Sequence, residues 1–382
     1  MSLDPKTELV INAKTGAVRQ AGADMAGNQI AEWKQLAERD LYFFSKFVGN
    51  YNIPRPVPFS VALHGWLCRK IQDRTHARKM VLIPREHAKS RIGSHCLPPH
   101  ILLQPKEHNV YFPGMAGADT RILLCGESGM VITSHMRACL AFFETNDLFK
   151  AWWPHLIWPN ANRDAKVWNA QQFIVPRPTS FGDPSVRALG ADSAVTGSRT
   201  DVQIVDDIIS LKASNSSTVM NTAIEFYKAL KPLQEDYLKS LQYIFGTRWA
   251  PSDVYEYIET NEPEVKVYIR KAIEDGKPLW PEKYSLAVLD ALKQDLKELF
   301  WLNYMNESTH GSLVDFNPEM VRFWRLQDGL YTFEEDPRDS ALAQQAGKKM
   351  EKEPLPKQLQ QLKTRDLTEM LGRDEYLRFK HA

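Results

Sequence analysis

The sequence predicts an α/β domain in which helices cover both faces of a mostly parallel β-sheet. Two observations favour this fold class: short apolar runs alternate with longer segments of helical periodicity, and several runs end in glycine or charged residues. With 382 residues, 43% of them hydrophobic, the chain can bury a sizeable core. Parallel strands end at one edge of their sheet, so residues that follow strands are the first candidates for a functional site.

The first part of the chain predicts mainly helices. Residues 1–30 are polar and rich in alanine and glycine, which indicates a mobile arm. The apolar run before Pro84 predicts the first strand of the sheet. Three helices are expected around this strand from their apolar spacing, at residues 31–49, 61–71 and 90–103, and prolines mark residues 52–59 as a loop.

The rest of the chain alternates strands with helices. Further strands are expected at residues 121–125, 172–175, 186–190, 202–205, 241–245 and 265–269. The strands at 172–175 and 186–190 are expected to form a hairpin. Helices are expected at residues 128–146, 215–230 and 285–305, and Ser252 is expected to cap another near Asp253. Residues 106–118 predict an inserted loop or hairpin. The expected organisation is an arm at 1–30, a main domain at 31–310 and a linker or tail at 311–382.

Composition excludes several classes of protein. The net charge is +1, so any contact with nucleic acid has to come from a local basic patch. The four cysteines lack C-x-x-C spacing, which predicts reduced core thiols and not disulfides or a zinc site. The polar N-terminus and the lack of a long apolar run predict a soluble cytosolic protein without a signal peptide or membrane span.

Residues 79–94, K-M-V-L-I-P-R-E-H-A-K-S-R-I-G-S, are the most informative stretch. They predict a strand, a tight loop and a helix N-terminus, whose amide groups and dipole favour phosphate. Lys89 would reach the β- and γ-phosphates of a nucleotide, and the Ser90 hydroxyl would bind Mg²⁺. Ile83 and Ala88 replace the glycines of the pattern G-x-x-x-x-G-K-[ST], so a basic loop after a buried strand remains an alternative.

Two further strand ends complete the candidate site. The run V-Q-I-V leads into Asp206, which can hold Mg²⁺, and Asp207, which can polarise an attacking water. A later strand ends in Gly246-Thr247-Arg248-Trp249, where Thr247 can bind phosphate or water and Arg248 can respond to loss of the γ-phosphate. Alone, the acidic pair could be a helix cap and the other segment a simple turn, but parallel strands would bring both to the edge that holds Lys89.

The order of these motifs resembles the ATPase domain of the terminase large subunit of tailed bacteriophages, the motor that packages double-stranded DNA. The resemblance covers roughly residues 40–310. Its central motif is L-I-P-R-E-H-A-K-S, a variant phosphate loop with an arginine four residues before the lysine. Five stretches carry the resemblance, at residues 58–67, 82–90, 196–207, 246–249 and 280–284, the last followed by residues 300–306. The family carries glutamate or a second aspartate where Asp207 stands.

The resemblance implies a role for each matched residue. It implies a P-loop NTPase fold with an additional strand and a catalytic acid, and it implies ATP and Mg²⁺ as cofactors. Asp207 would be the catalytic carboxylate, Thr247 and Arg248 would couple hydrolysis to movement, and Arg199 is a candidate contact near the site or with the next subunit. Ser90 and Asp206 would bind the metal, and the nucleotide loop would comprise Arg85, Glu86, His87, Ala88, Lys89 and Ser90, with Arg85 sensing the γ-phosphate. Phe59 and His64 are candidates for contact with adenine.

The resemblance also implies partners, namely viral double-stranded DNA, a portal protein, a small terminase subunit and further copies of the chain in a ring. It places the protein in the host cytoplasm, at the portal vertex of the procapsid. Candidate DNA contacts are the lysines and arginines of residues 69–79 and the loop 106–118. The short polar segment after Asn306 predicts that this chain carries no nuclease domain. A helicase-like ATPase and a non-catalytic scaffold are the alternatives.

Overall fold

The computed structural model describes residues 9–11, 18–20, 23–24, 27–51, 53–195, 197–211, 216–307, 324–327 and 330–333. The chain divides into two compact units, Met1–Leu313 and Val314–Ala382. In the second unit, the described residues form one antiparallel hairpin, β13 (Trp324–Gln327) with β14 (Leu330–Phe333). The rest of the predicted tail lies outside the described residues, and so does most of the predicted arm. Within the arm, β1 (Leu9–Ile11), β2 (Val18–Gln20) and β3 (Ala23–Asp24) form a small antiparallel sheet.

The first unit is built on a seven-stranded sheet, which confirms the predicted fold class. Its strands are β4 (Arg78–Leu82), β5 (Ile122–Gly126), β6 (Gln172–Phe173), β7 (Val186–Gly190), β8 (Val202–Asp206), β9 (Leu241–Gly246) and β10 (Lys266–Ile269). The spatial order is β10-β4-β9-β8-β5-β7-β6, and all neighbours are parallel except β6 and β7. The strand β9 is thus inserted between β4, which leads to Lys89, and β8, which ends in Asp206.

Helices surround this sheet. They are α1 (Gly27–Arg39), α2 (Leu41–Phe43), α3 (Trp66–Gln72), α4 (Leu97–Leu102), α5 (Gly129–Glu144), α6 (Asp147–Trp152), α7 (Ala161–Asp164), α8 (Ser217–Leu230), α9 (Val254–Asn261), α10 (Leu286–Leu296) and α11 (Glu298–Asn303). Wider π-helical turns precede or follow three of them, at Phe44–Val48, Val61–Gly65 and Arg91–Cys96. The short strands β11 (Ile273–Glu274) and β12 (Lys277–Pro278) pair before α10. None of the described helices is long and apolar enough to cross a membrane.

The sheet is buried on both faces because its strands alternate their apolar side chains between two cores. Val81, Leu124 and Ile204 face one core, together with the helices around the phosphate loop. Leu82 and Val205 face the other, which α8 and α9 complete. A strand that is buried on both faces appears in the sequence as a continuous apolar run, and for this reason the strands could be predicted well from the sequence.

Three local features differ from the sequence-based expectations, and at residues 106–118 the structure selects the expected loop over the hairpin. The helix expected at 31–49 breaks at Asp40, whose Oδ1 accepts a hydrogen bond from the backbone N–H of Phe43 and so starts a new helix. The helix expected at 285–305 breaks at Lys297, which has a φ of 50°. Asp253, and not Ser252, caps α9. The loop 106–118 contains two 3₁₀ turns, Lys106–His108 and Gly117–Asp119, and no strand among these described residues.

Candidate nucleotide site

Three strand ends meet at the carboxyl edge of the sheet. In the parallel register, Leu82 of β4 lies opposite Gly246 of β9, and Phe245 of β9 lies opposite Asp206 of β8. The loop after β4, the acidic pair after β8 and the turn after β9 therefore lie side by side, as the sequence predicted. Ligands of open α/β sheets commonly bind at this edge.

The loop from Ile83 to Lys89 adopts a strained backbone without glycine. Glu86 and Ala88 both have a φ of 60°, in the left-handed region that glycine adopts most easily. The backbone N–H of Arg85 donates to the carbonyl of Asn303 at 2.8 Å, which ties the loop to α11. Neighbouring contacts thus hold a shape that other sequences reach with glycine.

Lys89 connects all three motifs. Its side chain is almost fully buried, and Nζ lies 2.8 Å from Oδ2 of Asp207. Nζ also donates to Oγ1 of Thr247 at 2.8 Å, and the Thr247 hydroxyl donates to the carbonyl of Ile83 at 3.2 Å. Within the described part of the chain, one ammonium group therefore joins the loop, the acidic pair and the turn after β9.

Asp206 is buried beside the helix that follows the loop. Its Oδ2 accepts a hydrogen bond of 2.5 Å from the hydroxyl of Ser94, and its Oδ1 is buried without a partner among the described residues. The sequence reasoning missed Ser94. Ser94 could have been found from the sequence, because it lies one helical turn after Ser90 and the two hydroxyls therefore lie on the same side of the helix.

Mg²⁺ fits this arrangement. The buried Oδ1 of Asp206 has no hydrogen-bond partner among the described residues and is free to bind a cation. Mg²⁺ prefers oxygen ligands of this kind. The described residues contain no cluster of three or more His, Cys, Asp or Glu side chains that could hold a metal ion on its own. A magnesium ion that keeps waters and phosphate oxygens needs only one or two protein ligands, so Ser90 and Asp206 are sufficient candidates.

Asp207 lies where two opposing influences act on its charge. Burial among its neighbours raises the pKa of the Asp207 carboxyl, the nearby Lys89 ammonium opposes this, and the Asp206 carboxylate adds to it. About a third of the side chain (35%) is exposed to solvent, but its Oδ1 is buried without a hydrogen-bond partner among the described residues. Asp207 also has a left-handed backbone, with a φ of 46°, which turns the chain sharply after β8.

The two arginines of the site point in different directions. Arg85 is exposed, and its guanidinium lies 4.8 Å from the centre of the Trp249 ring, so it can still swing towards a phosphate. Arg248 is buried and points away from Lys89 towards α9. There it contacts the carboxylates of Asp253 at 3.4 Å, Glu256 at 2.9 Å and Glu259 at 2.5 Å. Arg248 is thus tied to α9, and its role in coupling stays a prediction.

A pocket of about 460 Å³ opens beside the phosphate loop. Its volume is within the range of sites that bind nucleotide-sized ligands. Pro56 and Pro58 form one side, and Trp280 and Lys283 form another. The remaining lining residues include Arg55, Val57, Glu86, Ala88, Lys89, Ser90 and Arg91. Sequence reasoning did not assign Pro56, Pro58 or Lys283 to the site.

His87, which belongs to the loop, is buried, and so are Phe59 and His64. His87 stacks on Tyr284 with 4.8 Å between ring centres, and burial lowers its pKa to about 4. His64 packs edge-on against Trp280, and its Nδ1 accepts a hydrogen bond from the backbone N–H of Ser60 at 3.0 Å. His64 and His87 therefore make packing contacts inside the protein. Phe59 and His64, the predicted adenine contacts, do not line the pocket.

Other predicted contact residues lie near the opposite edge of the sheet. Arg78 and Lys79, at the amino end of β4, are buried and make hydrogen bonds inside the protein, so they do not form an open basic surface. Arg199 precedes β8 and donates to the carbonyl of Pro232 at 3.1 Å. The structure therefore does not bring Arg199 together with Lys89 in one chain; a contact with a next subunit stays a prediction.

Comparisons with known proteins give structural matches only. No family model and no curated protein matches the sequence. The chain is similar to the ATPase domain of the large terminase of Thermus phage P74-26, with a TM-score of 0.41 and 13% identity over 65% of this chain and 93% of that one. It is also similar to the large terminase of bacteriophage HK97, with a TM-score of 0.44 and 14% identity over 71% of this chain. The matched region spans 55% of the HK97 protein.

Proposed function

We propose that the chain is an ATP-hydrolysing motor subunit of the terminase large subunit type, which moves viral double-stranded DNA into a procapsid. The observation that carries the proposal is the contact of Lys89 with both Asp207 and Thr247. A lysine after a phosphate-binding loop, an acidic pair and a polar turn are the parts that phosphoryl transfer requires. The sequence resemblance over residues 40–310 supports the choice of a packaging motor.

The first event in the proposed reaction is a change of partner for Lys89. Its ammonium neutralises Asp207 in this structure and would move to the β- and γ-phosphates when ATP binds. That exchange frees the Asp207 carboxylate to accept a proton from water. The water oxygen then attacks the γ-phosphorus, the bond to the bridging oxygen breaks, and ADP and phosphate are released.

The other residues of the site hold and orient the reactants. Ser90 and Asp206 would hold Mg²⁺, which neutralises charge on the phosphates when bound. Thr247 would contact the γ-phosphate or the water, and its hydrogen bond with Lys89, which also pairs with Asp207, supports this role. Arg85 would leave the Trp249 ring and contact the γ-phosphate. The pocket beside Trp280 and Lys283 would take the base and sugar.

The wider proposal concerns assembly. A chain with a net charge of +1 binds DNA weakly alone, whereas several copies in a ring can each add a few basic contacts to a central channel. We therefore propose a ring at a portal protein, assisted by a small terminase subunit in the host cytoplasm. The exposed Arg69 and Arg74 are better DNA candidates than the buried Arg78 and Lys79.

The test is ATP hydrolysis by the wild type and by the variants Lys89→Ala and Asp207→Asn, with Lys239→Ala as an exposed lysine control. We expect a loss of about 100-fold or more for the two site variants, because each removes a group that acts in the transition state. The control variant should hydrolyse ATP at the wild-type rate. Equal rates in all four proteins would refute the enzyme proposal, and stimulation by single-stranded nucleic acid alone would favour a helicase-like ATPase.

A further inference from the structure

Two histidines form a hydrogen-bonded pair between the helix after the phosphate loop and α5. Nε2 of His95 lies 2.8 Å from Nδ1 of His135, and the ring centres are 5.1 Å apart. His95 belongs to the π-helical turn Arg91–Cys96, and His135 lies in the middle of α5. The described contacts of the nucleotide site do not include either histidine, so the pair needs its own explanation.

The positions of the protons follow from burial. Nδ1 of His95 is buried without a hydrogen-bond partner among the described residues. A buried N–H without an acceptor costs more than a bare nitrogen lone pair, so Nδ1 carries no proton. Nε2–H of neutral His95 therefore donates, and Nδ1 of His135 accepts. Burial and the nearby His135 and Arg91 also hold the pKa of His95 well below its usual value, which keeps this tautomer neutral.

The pair is linked to the acidic residues through the turn Arg91–Cys96, which carries both Ser94 and His95. Ser94, next to His95, donates to Asp206, so any shift of this turn moves the hydroxyl that orients Asp206. The helix α5 follows β5, the strand that pairs with β8. The pair thus joins two elements that pack in the same core, on one face of the sheet.

We propose that the His95–His135 hydrogen bond is a positioning contact of the nucleotide site, which holds the turn Arg91–Cys96 against α5 and thereby fixes Ser94 and Asp206. This inference rests on the proposed ATPase function. It predicts that loss of the hydrogen bond lowers kcat more than it changes KM for ATP. Misplacement of a group by about 1 Å can cost on the order of 100-fold in rate.

Substitution of each histidine by glutamine or asparagine tests the hydrogen bond, because each of these amide side chains imitates one ring nitrogen of histidine. The glutamine amide reaches about as far as Nε2, and the asparagine amide about as far as Nδ1. His95→Gln and His135→Asn can keep the hydrogen bond, whereas His95→Asn and His135→Gln cannot place it correctly. His155→Asn is a matched control at an exposed histidine outside the site.

The assays are steady-state ATP hydrolysis and thermal unfolding of all five variants. We expect kcat to fall by about 10-fold to 100-fold in His95→Asn and His135→Gln, and to recover mostly in His95→Gln and His135→Asn. Thermal unfolding shows whether a slow variant is still folded. If a His95 variant fails to fold, the two His135 variants provide the same comparison on the other side of the hydrogen bond. Equal kcat values within each pair of variants would overturn the proposal, because packing alone would then explain the histidines.

A second readout separates this inference from the proposed function. A loss of hydrolysis in Lys89→Ala together with wild-type rates in all four pair variants would refute the positioning role and leave the ATPase proposal intact. A wild-type protein that neither binds nor hydrolyses MgATP would refute both. Imidazole ¹⁵N shifts of His95 and His135 should also change when MgADP is added, and unchanged shifts would contradict the coupling of the pair to the site.

Discussion

Replacement of Ala88 by glycine tests whether the phosphate loop is strained. Ala88 has a φ of 60°, and its methyl group is only half-buried. The left-handed conformation costs a residue with a Cβ roughly 1–2 kcal/mol relative to glycine. Glycine in turn lowers stability by about 0.5–1 kcal/mol through the entropy of the unfolded chain. We therefore expect Ala88→Gly to be neutral or to raise the free energy of unfolding slightly.

The control is the same substitution at an exposed position in a regular helix, Ala291→Gly in α10. It introduces the same entropy without relieving strain and should lower the free energy of unfolding by about 1 kcal/mol. The contrast between the two variants isolates the strain at Ala88 and should be about 1–2 kcal/mol. Urea unfolding at 25 °C measures both values. If Ala88→Gly destabilises as much as Ala291→Gly, the loop is not strained and the reasoning fails.

Three further predictions concern charge and hydrogen bonding. Acid should destabilise the fold as the pH falls from 6.5 to about 4, because burial lowers the pKa of both His64 and His87 to about 4. Each of these histidines takes up a proton on unfolding and so lowers the free energy of unfolding by up to about 1.4 kcal/mol per pH unit. Urea unfolding at pH 7, 6 and 5 checks this, and a flat profile would contradict it. Arg248→Gln should lower the free energy of unfolding by about 3–5 kcal/mol, because the buried Asp253 carboxylate keeps its backbone hydrogen bonds but loses its cation. A loss no larger than about 1 kcal/mol would show that the ion-pair cluster of Arg248 is weak. Ser90→Ala should raise the Mg²⁺ concentration needed for ATP hydrolysis, because Ser90 is the proposed metal ligand. Ser94→Ala should lower the free energy of unfolding by about 1–3 kcal/mol, because it removes the hydrogen bond to the buried Asp206. The opposite result for the two variants would contradict both assignments.

The sheet could be predicted well from the sequence because its strands are buried on both faces. The strands expected at 202–205 and 241–245 occur at Val202–Asp206 and Leu241–Gly246. The helix breaks at Asp40 and Lys297 were not predicted, because apolar spacing continues across them. A side-chain cap or a left-handed residue decides such breaks, and neither changes the hydrophobic pattern.

The candidate site was predictable to the extent that its residues follow strands. Lys89, Asp206, Asp207 and Thr247 come together because parallel strands end at one edge. The direction of Arg248 could not be predicted, because it depends on the three carboxylates that α9 presents. The roles of these residues in hydrolysis stay predictions.

The sequence by itself determined the fold class and the order of the motifs, because apolar periodicity reports burial and strand ends report the edge of a sheet. Only the tertiary structure decided that Ser94 contacts Asp206, that His95 pairs with His135 and that Arg248 turns to α9. These contacts join residues that are distant in the chain or on different faces of a helix. Their partners depend on how helices pack against the sheet, and local sequence spacing does not encode that packing.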